Sequence, residues 1–164
     1  MKIRALDPCE VNSHRELRIR VLNDSPNSFG EIASEAEARP LSYWEDLTRS
    51  VTDPNRHVMF VAFECDAIVG TTYGLLDHER SDVGRLGGMW VDPSQRRRGV
   101  GRSLLAAVLA WARERGLKRV GLWAPASEPA AIRLYFRAGF RDTRRQRPLP
   151  NNGALRIVEM EIEL

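Results

Sequence analysis

Trp90-Val91-Asp92-Pro93-Ser94-Gln95-Arg96-Arg97-Arg98-Gly99-Val100-Gly101-Arg102-Ser103-Leu104-Leu105 decides how the rest of this chain is read. An apolar run, Met89-Trp90-Val91, ends at Asp-Pro, and three arginines lead into a Gly-x-Gly that opens an apolar-periodic helix. Glycine carries no Cβ, so the backbone there can turn tightly and approach a ligand closely. The first turn of the helix offers unpaired N–H groups and the positive end of the macrodipole. Strand, turn and helix mouth together make a cradle for phosphate or pyrophosphate.

Spacing separates the known cradles. A Walker loop needs four residues between its first glycine and Gly-Lys-Ser/Thr, whereas here Arg102-Ser103 follow Gly101 and no glycine stands at Ser94 or Gln95. A dinucleotide fingerprint needs Gly-x-Gly-x-x-Gly directly after a strand, but Leu104 holds the third position and Asp92 to Arg98 intervene. Arg96-x-x-Gly99-x-Gly101 after a strand and Asp-Pro instead resembles the acyl-CoA loop of the GNAT superfamily of N-acetyltransferases. Downstream, Ala131-Ile132-Arg133-Leu134-Tyr135-Phe136-Arg137-Ala138-Gly139-Phe140 is similar to the family's Ala-x-x-Leu-Tyr-x-x-x-Gly-Phe segment. Ala131, Leu134 and Ala138 recur at helical spacing and form one stripe. Gly139 suits the left-handed residue that ends a helix, and Phe140 can pack back on it. The likeness covers residues 57 to 142 well and the first fifty loosely.

The resemblance implies an α/β fold of GNAT type, a mostly antiparallel sheet with one splayed parallel strand pair, flanked by helices. It implies acetyl-CoA as co-substrate, no metal, and transfer of the acetyl group to a primary amine by direct attack on the thioester. Backbone amides from about Arg97 to Arg102 would bind the pyrophosphate, with Arg96, Val100 and Ser103 completing the loop. Arg97 and Arg98 would supply field or contacts to the 3′-phosphate. The edge of Met89-Trp90-Val91 would bind the pantetheine arm, and an amide there would polarise the thioester carbonyl, a contact typically worth ~3–4 kcal/mol of barrier. Tyr135 is the candidate catalytic side chain, because a phenol with an ordinary pKa of about 10 can donate to the leaving thiolate at neutral pH. The chain departs from the family at Glu128, where an asparagine often contacts the pantetheine. Glu128 then either sees the acceptor amine or serves the helix start, and Ser127 can stand in for the amide.

Composition bounds the alternatives. At 164 residues the chain is read as one domain, 1–164, large enough for a core without staples. Its longest apolar run, Leu104 to Ala112, is too short for a membrane span. The N-terminus carries no signal-peptide pattern, and Cys9 and Cys65 form no metal or redox spacing, so a cytoplasmic protein is expected. Net charge is only +3, but residues 93–147 hold fourteen basic against three acidic side chains, and the remainder eleven against nineteen. A positive cleft would steer a polyphosphate ligand. A CoA-binding sensor without turnover and an arginine-rich nucleic-acid-binding domain are the rival readings. Neither explains the Leu134-Tyr135 segment. The acidic first half points to a cationic acceptor such as a polyamine, an aminoglycoside-like compound or a protein amine, and analogy points to a homodimer.

Period and caps predict the element order β-α-α-β-β-β-α-β-α-β-β. Lys2–Leu6 reads as a strand, and the box Asp7 to Glu10 opens a helix to about Leu22. Glu31–Ala38 is helix-favouring, and Ser42 to Glu45 is a second capping box. His57–Glu64 and Ala67–Leu76 read as a hairpin, then strand 85–91, helix 100–115, strand 118–123, helix 128–138, and closing strands at Phe140 and 155–164. Gly87-Gly88 is compatible with a bulge. From Val158 the tail alternates and should expose one face. Asp77, His78, Glu79 and Asp92 stand at strand ends as candidate bases, none marked by a motif. His14 and His57 read as structural or surface residues.

Overall fold

In the computed structural model, which describes residues 1–164, the chain runs β1 (Lys2–Ala5), α1 (Val11–Asp24), α2 (Ala33–Glu37), α3 (Leu41–Val51), β2 (His57–Glu64), β3 (Ala67–Leu76), β4 (Val83–Val91), a 3-10 turn (Pro93–Gln95), α4 (Val100–Glu114), β5 (Arg119–Pro125), α5 (Pro129–Arg137), β6 (Arg141–Leu149) and β7 (Asn152–Glu163). The strands form one sheet in the order β1-β2-β3-β4-β5-β7-β6. Every pairing is antiparallel except β4 with β5, which α4 connects.

Alternation along the strands sends side chains to two faces. On one, Leu105, Val108 and Ala112 of α4 meet Leu86, Val120, Leu122 and Met160. On the other, Leu17 and Val21 of α1 cover Met59, Val61 and Trp90. No helix is long and apolar enough to cross a membrane.

Several expectations need correction. Glu10 does reach back to the Asp7 amide at 2.8 Å, as a capping box predicts, yet α1 begins only at Val11. Ser42 does not cap α3, since the extended Pro40 precedes Leu41 and takes the N-cap place. The acidic stretch forms a short third helix, α2, which the predicted order left out. The last hairpin is longer than the apolar pattern suggests. β6 holds Arg141 to Leu149, exposed at nearly every position, and is a strand because β7 pairs it, from Arg141 opposite Glu161 to Pro148 opposite Arg156. An edge strand with both faces in water has no alternation to read. Glu159, assigned to the exposed face of the tail, is 2% exposed. Arg85 and Thr143 bind its carboxylate at 3.0 and 2.9 Å, which is what makes its burial tolerable.

Candidate active site

The parallel pair is where the sheet opens. β4 and β5 are paired from Val83/Arg119 to Leu86/Leu122 and no further, although β4 continues to Val91 and β5 to Pro125. The edge of Gly87–Val91 that faces β5 therefore has no strand partner. Both halves of this fork line a cleft of about 2090 Å³, well beyond the ~300–1,000 Å³ of an ordinary small-molecule pocket. Two ligands can meet in it.

Gly87 and Gly88 shape the fork. The β3/β4 register shifts between Thr71 and Tyr73, and Gly88 adopts φ +61°, so the expected bulge is present. A Cβ on Gly87 would lie 2.3 Å from the Tyr73 hydroxyl oxygen. The two glycines thus make room for that phenol beside the free edge of β4. Thr71, 5% exposed, also lines the cleft, and its hydroxyl has no hydrogen-bond partner. Sequence reasoning missed both residues, because their importance comes from facing the bulge across the sheet.

At the end of β4, Asp92 accepts from the amide and hydroxyl of Ser94 at 3.0 and 2.6 Å, closing the turn. Arg97 and Gly99 are left-handed, at φ +66° and +89°. The amides of Arg97, Arg98, Gly99, Val100, Gly101 and Arg102 donate to no other group of the chain, while those of Arg96 and Ser103 are taken by the Pro93 and Gly99 carbonyls. This run of free donors at the mouth of α4 is the arrangement an anion cradle requires. Ser103, expected in it, spends its amide closing the first helical turn. Val100 contributes an amide only, its side chain being buried against Leu104 and Val69. A Cβ on Gly101 would point between Leu134 and Val91, at 3.3 and 3.7 Å. The Arg97, Arg98 and Arg102 side chains are exposed at the rim. Arg96 turns elsewhere: its Nε donates to the Val91 carbonyl at 2.9 Å and its guanidinium pairs with Asp24.

From α5, Tyr135 enters the cleft, 4% exposed and tilted against Phe140 at 5.7 Å. Burial alone pushes its phenol well above its ordinary value, so it stays protonated at any physiological pH. The helix ends as its sequence predicts, with Gly139 at φ +100° and the Phe140 amide bonded to the Tyr135 carbonyl at 3.0 Å. Glu128 stands at the N-cap without capping by its side chain; its carboxylate lines the cleft and accepts from Ser28 at 3.4 Å. Ser127 is exposed and outside the cleft.

None of the four candidate bases lines the cleft. Asp77 is paired with Arg85 at 2.6 Å, and His78 contacts Arg56 at 2.8 Å. His14 and His57 do line it. His14 is buried, bonded to Thr48 at 2.9 Å, and burial lowers it to about 4. Burial also lowers His57, whose ring meets Tyr73 edge-on at 5.9 Å.

Known proteins are similar to this chain. Residues 19–140 fit the model of the acetyltransferase (GNAT) family. The chain is 34% identical over 107 residues to aminoglycoside N(6')-acetyltransferase type 1 of Stenotrophomonas maltophilia, covering 62% of this chain and 70% of that protein. It is 45% identical over 128 residues to the mycothiol acetyltransferase of Salinispora tropica, covering 76% of this chain but only 39% of the relative. Among solved structures, a GNAT acetyltransferase from Streptococcus pneumoniae superposes with TM-score 0.81 at 18% identity, over 99% of both chains. The yncA protein of Salmonella typhimurium, solved with its cofactor acetyl-CoA, gives 0.80 at 19% identity, over 100% of this chain and 94% of that one. Family match and relatives together identify an acyl-CoA-dependent N-acetyltransferase. The chain belongs to the acetyltransferase (GNAT) family.

Proposed function

We propose that the protein moves the acetyl group of acetyl-CoA to a primary amine by direct attack on the thioester, within the fork between β4 and β5. The observation that carries this reading is the alignment of three features in one cleft: the unpartnered amides of the cradle, the free edge of β4 past Leu86, and the buried phenol of Tyr135. The cradle amides hold the pyrophosphate. The edge of Met89–Val91 takes the pantetheine amides as a missing strand would. Tyr135 faces the sulfur from α5. As the amine nitrogen bonds the carbonyl carbon, its surplus proton passes to water in the open cleft. The C–S bond then breaks, Tyr135 donates a hydrogen bond to the departing thiolate, and the thiolate takes its proton from water in the cleft. Holding both reactants here makes the attack effectively intramolecular.

The acceptor enters from the side of Tyr73, where Phe29, Tyr43, Leu47 and Trp123 line the cleft. Asp24 and Glu31 are each paired with an arginine, Arg96 and Arg18. Of the carboxylates lining the cleft, Glu128 alone has no basic partner. We therefore favour a monoamine on an apolar or aromatic body over the polycations that the acidic first half suggested. The exposed thiols of Cys9 and Cys65, free of any disulfide, fit a reducing, cytoplasmic setting.

Thiol release from acetyl-CoA by purified protein, across amino acids, arylalkylamines, polyamines, aminoglycosides and peptide N-termini, tests both statements. Release with apolar monoamines supports them. Release with polyamines only overturns the acceptor assignment, and silence across the panel by protein that binds acetyl-CoA favours a sensor.

A further inference from the structure

Asp24 occupies the last residue of α1. That is the negative end of the helix dipole, where an acid is unfavourable, and no basic residue in the last turn relieves it. Its carboxylate is nonetheless the most heavily bonded on the cleft wall. Trp90 Nε1 donates to it at 2.8 Å, the Ser25 hydroxyl at 2.7 Å, and the Arg96 guanidinium completes the set. Burial of the carboxylate works against its charge, but these donors outweigh it and hold the group below its ordinary range. One carboxylate thus touches the cradle's first arginine, the end of β4 and the start of the loop that follows α1.

That loop roofs the acceptor side. Ser28 donates to Glu128, and the Gly30 carbonyl accepts from the Asn151 side chain in the β6–β7 turn. On the cradle side, Arg96, Arg97 and Arg98 are consecutive exposed cations. An anion on the neighbouring amides relieves their repulsion and fixes the turn that carries Arg96.

We propose that Asp24 is a positioning residue that ties the acyl-CoA cradle to the acceptor loop, so that a pyrophosphate on the Arg97–Arg102 amides steadies Ser25–Gly30 through Arg96. The proposal rests on the acyl-CoA reading of the cleft. It gives Arg96 a job other than touching the phosphates, and it makes an empty cradle and a loose acceptor site one condition. Coupling of this kind is reciprocal.

Hydrogen exchange on the whole chain, with and without saturating CoA, tests it without any acceptor. In the unaltered protein CoA is expected to slow exchange at residues 97–102 and, by about fivefold or more, at residues 25–30, the scale of an ordinary coupling. In Asp24→Asn the slowing at 97–102 should persist and that at 25–30 should vanish. Arg96→Gln cuts the same tie from the cradle side and should give the same loss at 25–30, whether or not the Asp24 variant folds. Slowing at 25–30 that survives either substitution, or that is absent in the unaltered protein while 97–102 respond, overturns the tie. No response at either segment overturns the acyl-CoA reading and the tie with it.

Discussion

Glycine and tyrosine identities state much of this site by themselves, because what they do follows from what they are. Gly99 needs a left-handed turn, Gly101 faces the space between Val91 and Leu134, and Tyr135 is a phenol at a helical position that points inward. Arg96, Tyr73 and Thr71 could not be read the same way. Their roles depend on Asp24 and the β4 bulge, partners far along the chain that only folding brings near. Two predictions belong to the legible set. Gly101→Glu puts bulk and negative charge into the proposed acyl-CoA cradle, so titration with acetyl-CoA should show no binding by a variant that still folds. Tyr135→Phe keeps the ring packed on Phe140 and removes only the donor. Turnover should fall ~10²-fold, within the range for general acid catalysis, with acetyl-CoA affinity nearly unchanged; equal turnover would take Tyr135 out of the mechanism. His14 carries a third. Its neutral ring is held between α1 and α3 and takes a proton only near pH 4, against 6.5 when unfolded. Between those values the unfolded chain binds a proton that the folded chain does not, so stability falls as pH drops through that window, by roughly 3 kcal/mol in all. Denaturation midpoints from pH 7 to 4.5 should decline less steeply for His14→Gln than for the parent.

Strands and helices differ in how openly their sequences announce them. β2, β3 and α4 are legible because burial on a defined face imposes a period, two along a strand and 3.6 along a helix. β6 is silent, since four arginines at a sheet edge face water on both sides and owe their conformation to β7 alone. The fork is half legible: Gly87-Gly88 marks an irregular strand, yet the loss of pairing after Leu86 is a relation between two elements. An ion cluster spans the fork's closed end, beside the backbone pairing of β4 with β5. Arg85 of β4 reaches past Gly121 of β5, where a Cβ would lie 2.5 Å from its guanidinium, to Glu159 of β7, and also binds Asp77. Replacing Arg85 by methionine keeps the stem but leaves Glu159 buried with only the distant Arg145, at 3.7 Å, and Thr143. An uncompensated buried charge of this kind costs about 3–5 kcal/mol. The chemical denaturation midpoint of Arg85→Met should fall accordingly, and adding Glu159→Gln should recover much of the loss. A double variant no more stable than the single one would show that Arg85 acts by packing alone.

Across the whole molecule, charge is sorted along the chain, and the fold turns that sorting into a field. The segment 93–147 carries fourteen basic and three acidic residues, and it supplies the cradle, α5 and β6. Several of its arginines are already spent: Arg96 on Asp24, Arg119 on Asp82 and Glu161, and Arg147 over the Trp123 ring at 4.3 Å. Arg97, Arg102, Arg133 and Arg137 have no acidic partner and line the cleft rim, where Arg98 bonds only the neutral Gln95. On the proposed reading, acyl-CoA brings a pyrophosphate and a 3′-phosphate to that rim. Exposed charges of this kind act mainly on encounter, since their field reaches ~8–10 Å at ordinary ionic strength and is screened by salt. On the proposed reading, the cradle amides act at contact and hold the ligand once seated. The association rate for acetyl-CoA, followed by stopped flow, should therefore fall several-fold between 20 and 300 mM salt, with a smaller change in the dissociation rate. Arg98→Gln should lower the association rate and flatten its salt dependence while leaving dissociation within about twofold, as expected for a rim charge. A variant that instead dissociates tenfold faster would place Arg98 on a phosphate and make it part of the cradle.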